Sequence, residues 1–166
     1  MRYFFDTEFL DDGYRITLIS IGIVAEDGRT YYAELVSPRW HVFERHQWLA
    51  GNVQPHLKGA MRKTQEVANE IKEFVGQNPE FWAYVADYDW VALSQLYGSL
   101  VNRPVTWPCT ALDTYQLPDF KRYVVQPEQE HNALSDAVAL ARSWEGWRAA
   151  WPDFPLPEHS SPREKS

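Results

Sequence analysis

The chain has 166 residues, 45% of them hydrophobic and 23% charged, enough to bury one core and too few for two. A formal net charge of −7 excludes a globally basic nucleic-acid coat and leaves only local cationic patches for phosphate contact. The one cysteine, Cys109, allows no intramolecular disulfide and no Cys-rich zinc site, and no run approaches the ~18 uncharged apolar residues of a membrane span.

The opening Met1-Arg2-Tyr3-Phe4-Phe5-Asp6 meets an acid too early for a signal peptide, so a soluble chain of the reducing cytoplasm is expected. Arg2 to Phe9 reads as an aromatic strand interrupted by Asp6 and Glu8. Ile16 to Val24 predicts a second strand, Glu26-Asp27-Gly28 a tight turn, and Arg29 to Val36 a third strand ending at Ser37-Pro38. Arg39 to Arg62 has no clean period and reads as a connection with room for one short helix. Thr64 can cap a helix to Val75, because Val67, Ile71, Phe74 and Val75 recur at helical spacing and Gly76 and Pro79 close it. A buried strand over Phe81 to Val85, a helix over Trp90 to Leu100 and a strand over Val105 to Ala111 follow. A long helix opens at His131, with Leu134, Val138 and Ala141 on one face. Strands first, then alternating helix and strand, predict an α/β domain over 1–151 with a mixed sheet and packed helices. The Pro-rich 152–166 stretch predicts a disordered tail. There is no Gly-rich phosphate loop, which removes the simplest nucleotide-cofactor readings.

Three acidic stations stand out. On a strand, Asp6 and Glu8 point to one face, where two adjacent carboxylates repel and lose solvation unless a divalent cation sits between them. An exposed strand end is the plain alternative. Asp87-Tyr88-Asp89 follows the strand at Phe81 to Val85, where open α/β sheets build sites, although an acid before a helix is also an ordinary cap. In His131-Asn132-Ala133-Leu134-Ser135-Asp136, the last carboxylate sits among apolar neighbours, where it would be costly if unpaired; a solvated helix face is the alternative.

In this order, Asp-x-Glu, aromatic-Asp and His-x-x-x-x-Asp resemble the three motifs of the DEDD exonucleases, in the DEDDh branch that includes ribonuclease T and oligoribonuclease. Arg2 to Phe9 followed by Leu18 to Gly28 looks most like the small mycobacterial-type 3′→5′ exoribonucleases, and the resemblance extends to about Trp147. It implies an RNase H-like fold. It also implies metal carboxylates at Asp6, Glu8, Asp89 and Asp136 and a general base at His131. Asp89 is preferred to Asp87 because Tyr88-Asp89 matches the aromatic-Asp pattern. Many relatives carry a His-Asn pair upstream of that aromatic, whereas this chain has Tyr84-Val85.

Four carboxylates suit Mg²⁺ or Mn²⁺ rather than zinc. The resemblance further implies two such ions, roughly 3.5–4 Å apart, serving hydrolysis of RNA from its 3′ end to nucleoside 5′-monophosphates. Removing the water's proton is a task suited to imidazole, here His131. The resemblance also assigns Thr7, Phe9 and Leu10, beside the first acids, to substrate contact, with aromatic stacking contributing ~1–3 kcal/mol per base. It allows a homodimer and gives no role for a membrane. Lys58, Arg62 and Lys63 form the densest basic stretch, readable as a phosphate contact or, more commonly, a solvated helix start. His41 and His46 lack a third ligand at fixed spacing and read as surface or structural residues; Cys109 reads as a packed thiol. Single-stranded DNA as substrate, or a silent nucleic-acid-binding module on the same fold, remain the competing readings.

Overall fold

The computed structural model describes residues 1–36 and 39–157. Its centre is a six-stranded mixed sheet, ordered β4-β3-β2-β1-β5-β6. β1 (Arg2–Asp11), β2 (Ile16–Ala25) and β3 (Thr30–Leu35) form an antiparallel meander, with β1 and β2 paired from Tyr3↔Ala25 to Asp11↔Ile16. The short β4 (Met61–Arg62) lies parallel to β3; β5 (Glu80–Ala83) lies parallel to β1, and β6 (Leu112–Asp113) parallel to β5. The expected α/β class and mixed sheet are present.

Among the described residues five α-helices accompany the sheet: α1 (Trp40–Arg45), α2 (Gln47–Asn52), α3 (Thr64–Val75), α4 (Asp87–Gln95) and α5 (Ala133–Ala150). Strand alternation sorts the residues of β1 between two layers. Tyr3 and Phe5 pack with Ile21, Ile71, Phe81 and Leu93 beneath α3 and α4. Phe4 faces the other way and packs with Trp82, Ala137, Leu140 and Trp144, so α5 covers that face. A third cluster joins Leu10, Ile19, Phe43, Leu49 and Val53 under α1 and α2.

The sequence-based boundaries hold best where periodicity is clean. The Thr64–Val75 helix is found as expected, but Lys63 is the capping residue, its N–H donating to the Glu66 carboxylate. The 39–62 connection contains two short helices, because Phe43, Leu49 and Val53 find a common apolar cluster. The helix expected from Trp90 starts three residues earlier, placing Asp87 and Asp89 in its first turn, where carboxylates complement the helix dipole. The strand expected over Val105 to Ala111 is irregular instead. Pro104 and Pro108 lack ladder donors, and pairing resumes only at Leu112–Asp113. At the C-terminus, the first part of the expected tail is packed: Phe154 meets the rings of Trp147 and Trp151, and its carbonyl accepts from Arg148 at 2.8 Å. Residues 158–166, and the strand end expected at Ser37-Pro38, lie outside the described residues.

Candidate active site

The site begins with the direction of the β1 side chains. Asp6 and Glu8, two residues apart, emerge on the α5 side of the sheet, continuing the row begun by Phe4. Directly opposite Asp6 on β2 lies Gly22. A Cβ there would fall 2.3 Å from the Ala133 carbonyl oxygen and 2.4 Å from Leu134 Cα, so only glycine lets the α5 N-terminus rest on the strand. That close approach brings Asp136, in the first turn of α5, over the two β1 acids. Asp6, Glu8 and Asp136 each offer a carboxylate oxygen within 4.8 Å of the others.

Asn132 starts α5, its side chain accepting from the Ser135 N–H at 3.1 Å and its carbonyl from the Asp136 N–H at 2.9 Å. His131, immediately before it, holds a left-handed backbone, φ 64°, unusual for a residue with a Cβ. Its ring meets Trp48 of α2 edge-on, 4.9 Å between centroids.

Asp89 arrives from the opposite layer. β5 ends at Ala83, and the chain turns through Val85, itself left-handed at φ 58°, into α4. Asp89 is 7% exposed, and its Oδ1 accepts from both the backbone N–H and the hydroxyl of Thr7, the β1 residue between the two acids. Asp87, two residues earlier, is exposed. The β5–α4 turn is fixed by Asp113 of β6, whose Oδ1 accepts from the Val85 N–H at 2.8 Å and the Tyr115 N–H at 2.9 Å.

The four carboxylates and His131 line one cleft of about 470 Å³, together with Phe9, Tyr88, Tyr84, Phe120 and Val124. Phe9 and Tyr88 stack nearly parallel, 5.7 Å apart at 8°. Of the residues expected at the substrate, Phe9 lines the cleft. Thr7 also reaches it, with its hydroxyl given to Asp89. Leu10 does not: it is 2% exposed and belongs to the cluster under α1 and α2. A register shift between Glu8 and Phe9 accompanies this change of environment, defeating simple alternation. His46 has the structural role expected of it, its Nδ1 accepting from the Leu49 N–H to cap α2, and His41 is exposed.

Electrostatically the cleft is unfavourable as it stands. Burial, then the charges of Asp89, Glu8 and Asp136, hold Asp6 well above the usual carboxylate range. Burial, with Asp136 and Asp89 adding to it, pushes Glu8 up to about 8. Burial raises Asp89 to about 6 against the opposing Thr7 hydrogen bonds. It raises Asp136 to about 6 although the neighbouring His131 pulls the other way. Asp136 Oδ2 is buried without a hydrogen-bond partner. An orphaned carboxylate oxygen, aimed among two other acids with purely oxygen donors, fits a hard divalent cation.

Trp48, Asp113 and Gly22 escaped the sequence reading. Only Gly22 carried a signal, an isolated glycine inside an Ile-rich strand, which marks a close backbone approach.

The chain is similar to known proteins. A family model for the "3'-5' exoribonuclease Rv2179c-like domain" matches residues 1–147. Two curated Mycobacterium tuberculosis proteins, 3'-5' exoribonuclease Rv2179c of strain H37Rv and 3'-5' exoribonuclease MT2234.1 of strain CDC 1551, are each 40% identical over 148 residues. The match covers 82% of this chain and 87% of theirs. Among solved structures, the zinc-ion-bound E. coli ExoI–ssDNA complex superposes with a TM-score of 0.59 at 10% identity, which establishes a shared fold. The match covers 92% of this chain and 41% of ExoI, so the chain spans about two fifths of that larger protein. With the family match running through all three acidic stations, the chain belongs to the Rv2179c-like 3′-5′ exoribonuclease domain family and has the RNase H-like exonuclease fold.

Proposed function

We propose that this protein hydrolyses single-stranded or 3′-overhanging RNA stepwise from its 3′ end, releasing nucleoside 5′-monophosphates. In this reading Asp6, Glu8, Asp89 and Asp136 hold two divalent cations, Mg²⁺ or Mn²⁺. The observation that carries it is the convergence of four carboxylates from β1, α4 and α5 on one cleft, with an Asp136 oxygen left unpartnered. The names of the mycobacterial relatives support RNA as the substrate.

The ions, when bound, supply charge stabilisation to the reacting phosphodiester and lower the pKa of bound water. The protein's own residues do the rest. Thr7 fixes the orientation of Asp89 through two donors to one oxygen, so that carboxylate needs no reorganisation on loading. Asn132 sets the start of α5 and with it the height of Asp136 above β1. His131 lines the cleft from that same helix start and takes the proton from the attacking water. Its edge contact with Trp48 limits the ring's freedom. Phe9, backed by Tyr88, offers a rigid face on which a terminal base stacks without regard to sequence. Leu10, buried in the cluster under α1 and α2, has no part in this contact. No helix among the described residues is long and apolar enough to cross a membrane, and a single cysteine suits the reducing cytoplasm as the place of action.

The test uses 5′-end-labelled single-stranded RNA, the matched DNA, and a circular RNA. With Mg²⁺ or Mn²⁺, the linear RNA should give a ladder shortening one nucleotide at a time, with the circle intact. Cleavage of the circle, or undiminished degradation in excess EDTA, contradicts the proposal. Equal rates on DNA would move the substrate class from RNA to single-stranded nucleic acid.

A further inference from the structure

A cleft of about 470 Å³ suits a small ligand or the end of a strand, so the rest of an RNA must leave over an adjoining surface. The chain is −7 overall and the cleft floor is carboxylate, so a strand's phosphates must find local cations. One adjoining patch has the chemistry of a nucleotide. Tyr84 lines the cleft and is 38% exposed. Tyr115, outside the cleft and 44% exposed, meets it edge-on at 5.6 Å. Lys121 lies over the Tyr115 ring, 4.3 Å from its centroid, and donates to the Tyr115 hydroxyl at 2.8 Å. Arg122 beside it is matched by Asp119 at 3.4 Å, but no ion pair among the described residues occupies Lys121.

The patch is also pre-ordered. The Asp113 carboxylate that pins the Val85 N–H, next to Tyr84, pins the Tyr115 N–H as well. Thr114 donates to the Ala83 carbonyl at 3.1 Å, tying the same two segments a second time. Rings held in place by the backbone lose little freedom when a base stacks on them.

We propose that Tyr84, Tyr115 and Lys121 form a second nucleotide site, which receives single-stranded RNA upstream of the two nucleotides that flank the scissile bond. The bases stack on the two tyrosine rings, and the Lys121 ammonium meets the intervening phosphate. This rests on the exoribonuclease reading above and adds to it a site for chain length. On this proposal a dinucleotide lies within the cleft and meets at most Tyr84, whereas a hexanucleotide extends beyond it to Tyr115 and Lys121, which do not line it.

The experiment compares wild type, Tyr115→Ala and Lys121→Ala on a dinucleotide and a hexanucleotide. It measures steady-state hydrolysis in Mg²⁺ and, separately, hexanucleotide binding by fluorescence anisotropy in Ca²⁺. Tyr115→Ala should raise the hexanucleotide KM roughly tenfold, within the range for losing one stacked base, and leave dinucleotide hydrolysis within about twofold. Lys121→Ala should flatten the salt dependence of hexanucleotide binding by about 0.7 in log–log slope. Equal effects on both lengths, or none on either, overturn the proposal. So does dissociation of a homodimer by either variant without a length-dependent change, which would make the patch a subunit interface. If wild type cleaves no RNA but the binding differences persist, the site stands and the assigned activity fails.

Discussion

Replacing Gly22 by alanine tests the link between fold and chemistry with a single methyl group. The added Cβ would lie 2.3 Å from the Ala133 carbonyl oxygen and 2.4 Å from the Ala133 carbonyl carbon and Leu134 Cα. These are backbone atoms that cannot rotate aside, so α5 must retreat by about 1 Å to restore ordinary contact at 3.4 Å. Overpacking of this kind costs about 1–3 kcal/mol, or a fall in Tm of roughly 2–12 °C for a domain of this size. The larger consequence is at the site. Asp136 is in the first turn of α5, and its retreat separates it from Asp6 and Glu8, which now share a 4.8 Å radius with it. A misplacement of about 1 Å costs turnover on the order of 10²-fold. Gly51→Ala is the control, because nothing lies within 4 Å of its added Cβ. The assay is kcat on a short RNA together with the thermal midpoint and far-UV circular dichroism. A folded Gly22→Ala protein with wild-type turnover and midpoint would refute the claim that this contact sets the position of Asp136.

Three further outcomes follow from the same geometry. Asp89→Asn should abolish metal-dependent turnover, whereas the exposed Asp87→Asn should leave it within about twofold; the reverse result would mean that the wrong acid of the pair faces the cleft. His131→Ala should lower the single-turnover rate by roughly 10²–10⁴ with RNA binding retained in Ca²⁺ and partial rescue at high pH, and a loss confined to binding would make His131 a structural residue. Without metal, Glu8 at about 8 and Asp89 and Asp136 at about 6 hold protons more tightly folded than unfolded, where carboxylates titrate near 4. Their contribution to stability is therefore complete below about pH 4 and is lost as pH rises through 6 to 8. In EDTA, Tm should fall between pH 6 and 8.5. Mg²⁺ at about 100 times its Kd should restore about 2.7 kcal/mol, with a larger shift at pH 8 than at pH 6, where protons compete. A Tm that rises over that pH range in EDTA, or is unmoved by Mg²⁺ at pH 8, contradicts this.

How far the sequence carried can be traced residue by residue. Asp6 and Glu8 were legible because strand period fixes their common face, and the motif order supplied their partners. Asp136 was legible as a carboxylate in apolar company, but not its position over β1, which depends on Gly22 opposite Asp6. The resemblance assigned Leu10 to substrate together with Phe9, but after the register shift between Glu8 and Phe9 the two part, Phe9 lining the cleft and Leu10 buried under α1 and α2. Asp113 and Trp48 were invisible: one acts through backbone amides of a turn far along the chain, the other through a ring contact between segments 83 residues apart. The 39–62 region failed for a related reason, since its helices depend on a tertiary cluster with Leu10 and Ile19 rather than on a local period.

The central claim is that Asp6, Glu8, Asp89 and Asp136 together make one two-ion site. The most direct measurement is anomalous diffraction from crystals grown with Mn²⁺ and a nucleoside 5′-monophosphate. Two peaks roughly 3.5–4 Å apart, between the β1 acids and Asp89 and Asp136, are the expected result. Peaks elsewhere, a single peak that leaves Asp89 unbound, or none at saturating Mn²⁺ would contradict it.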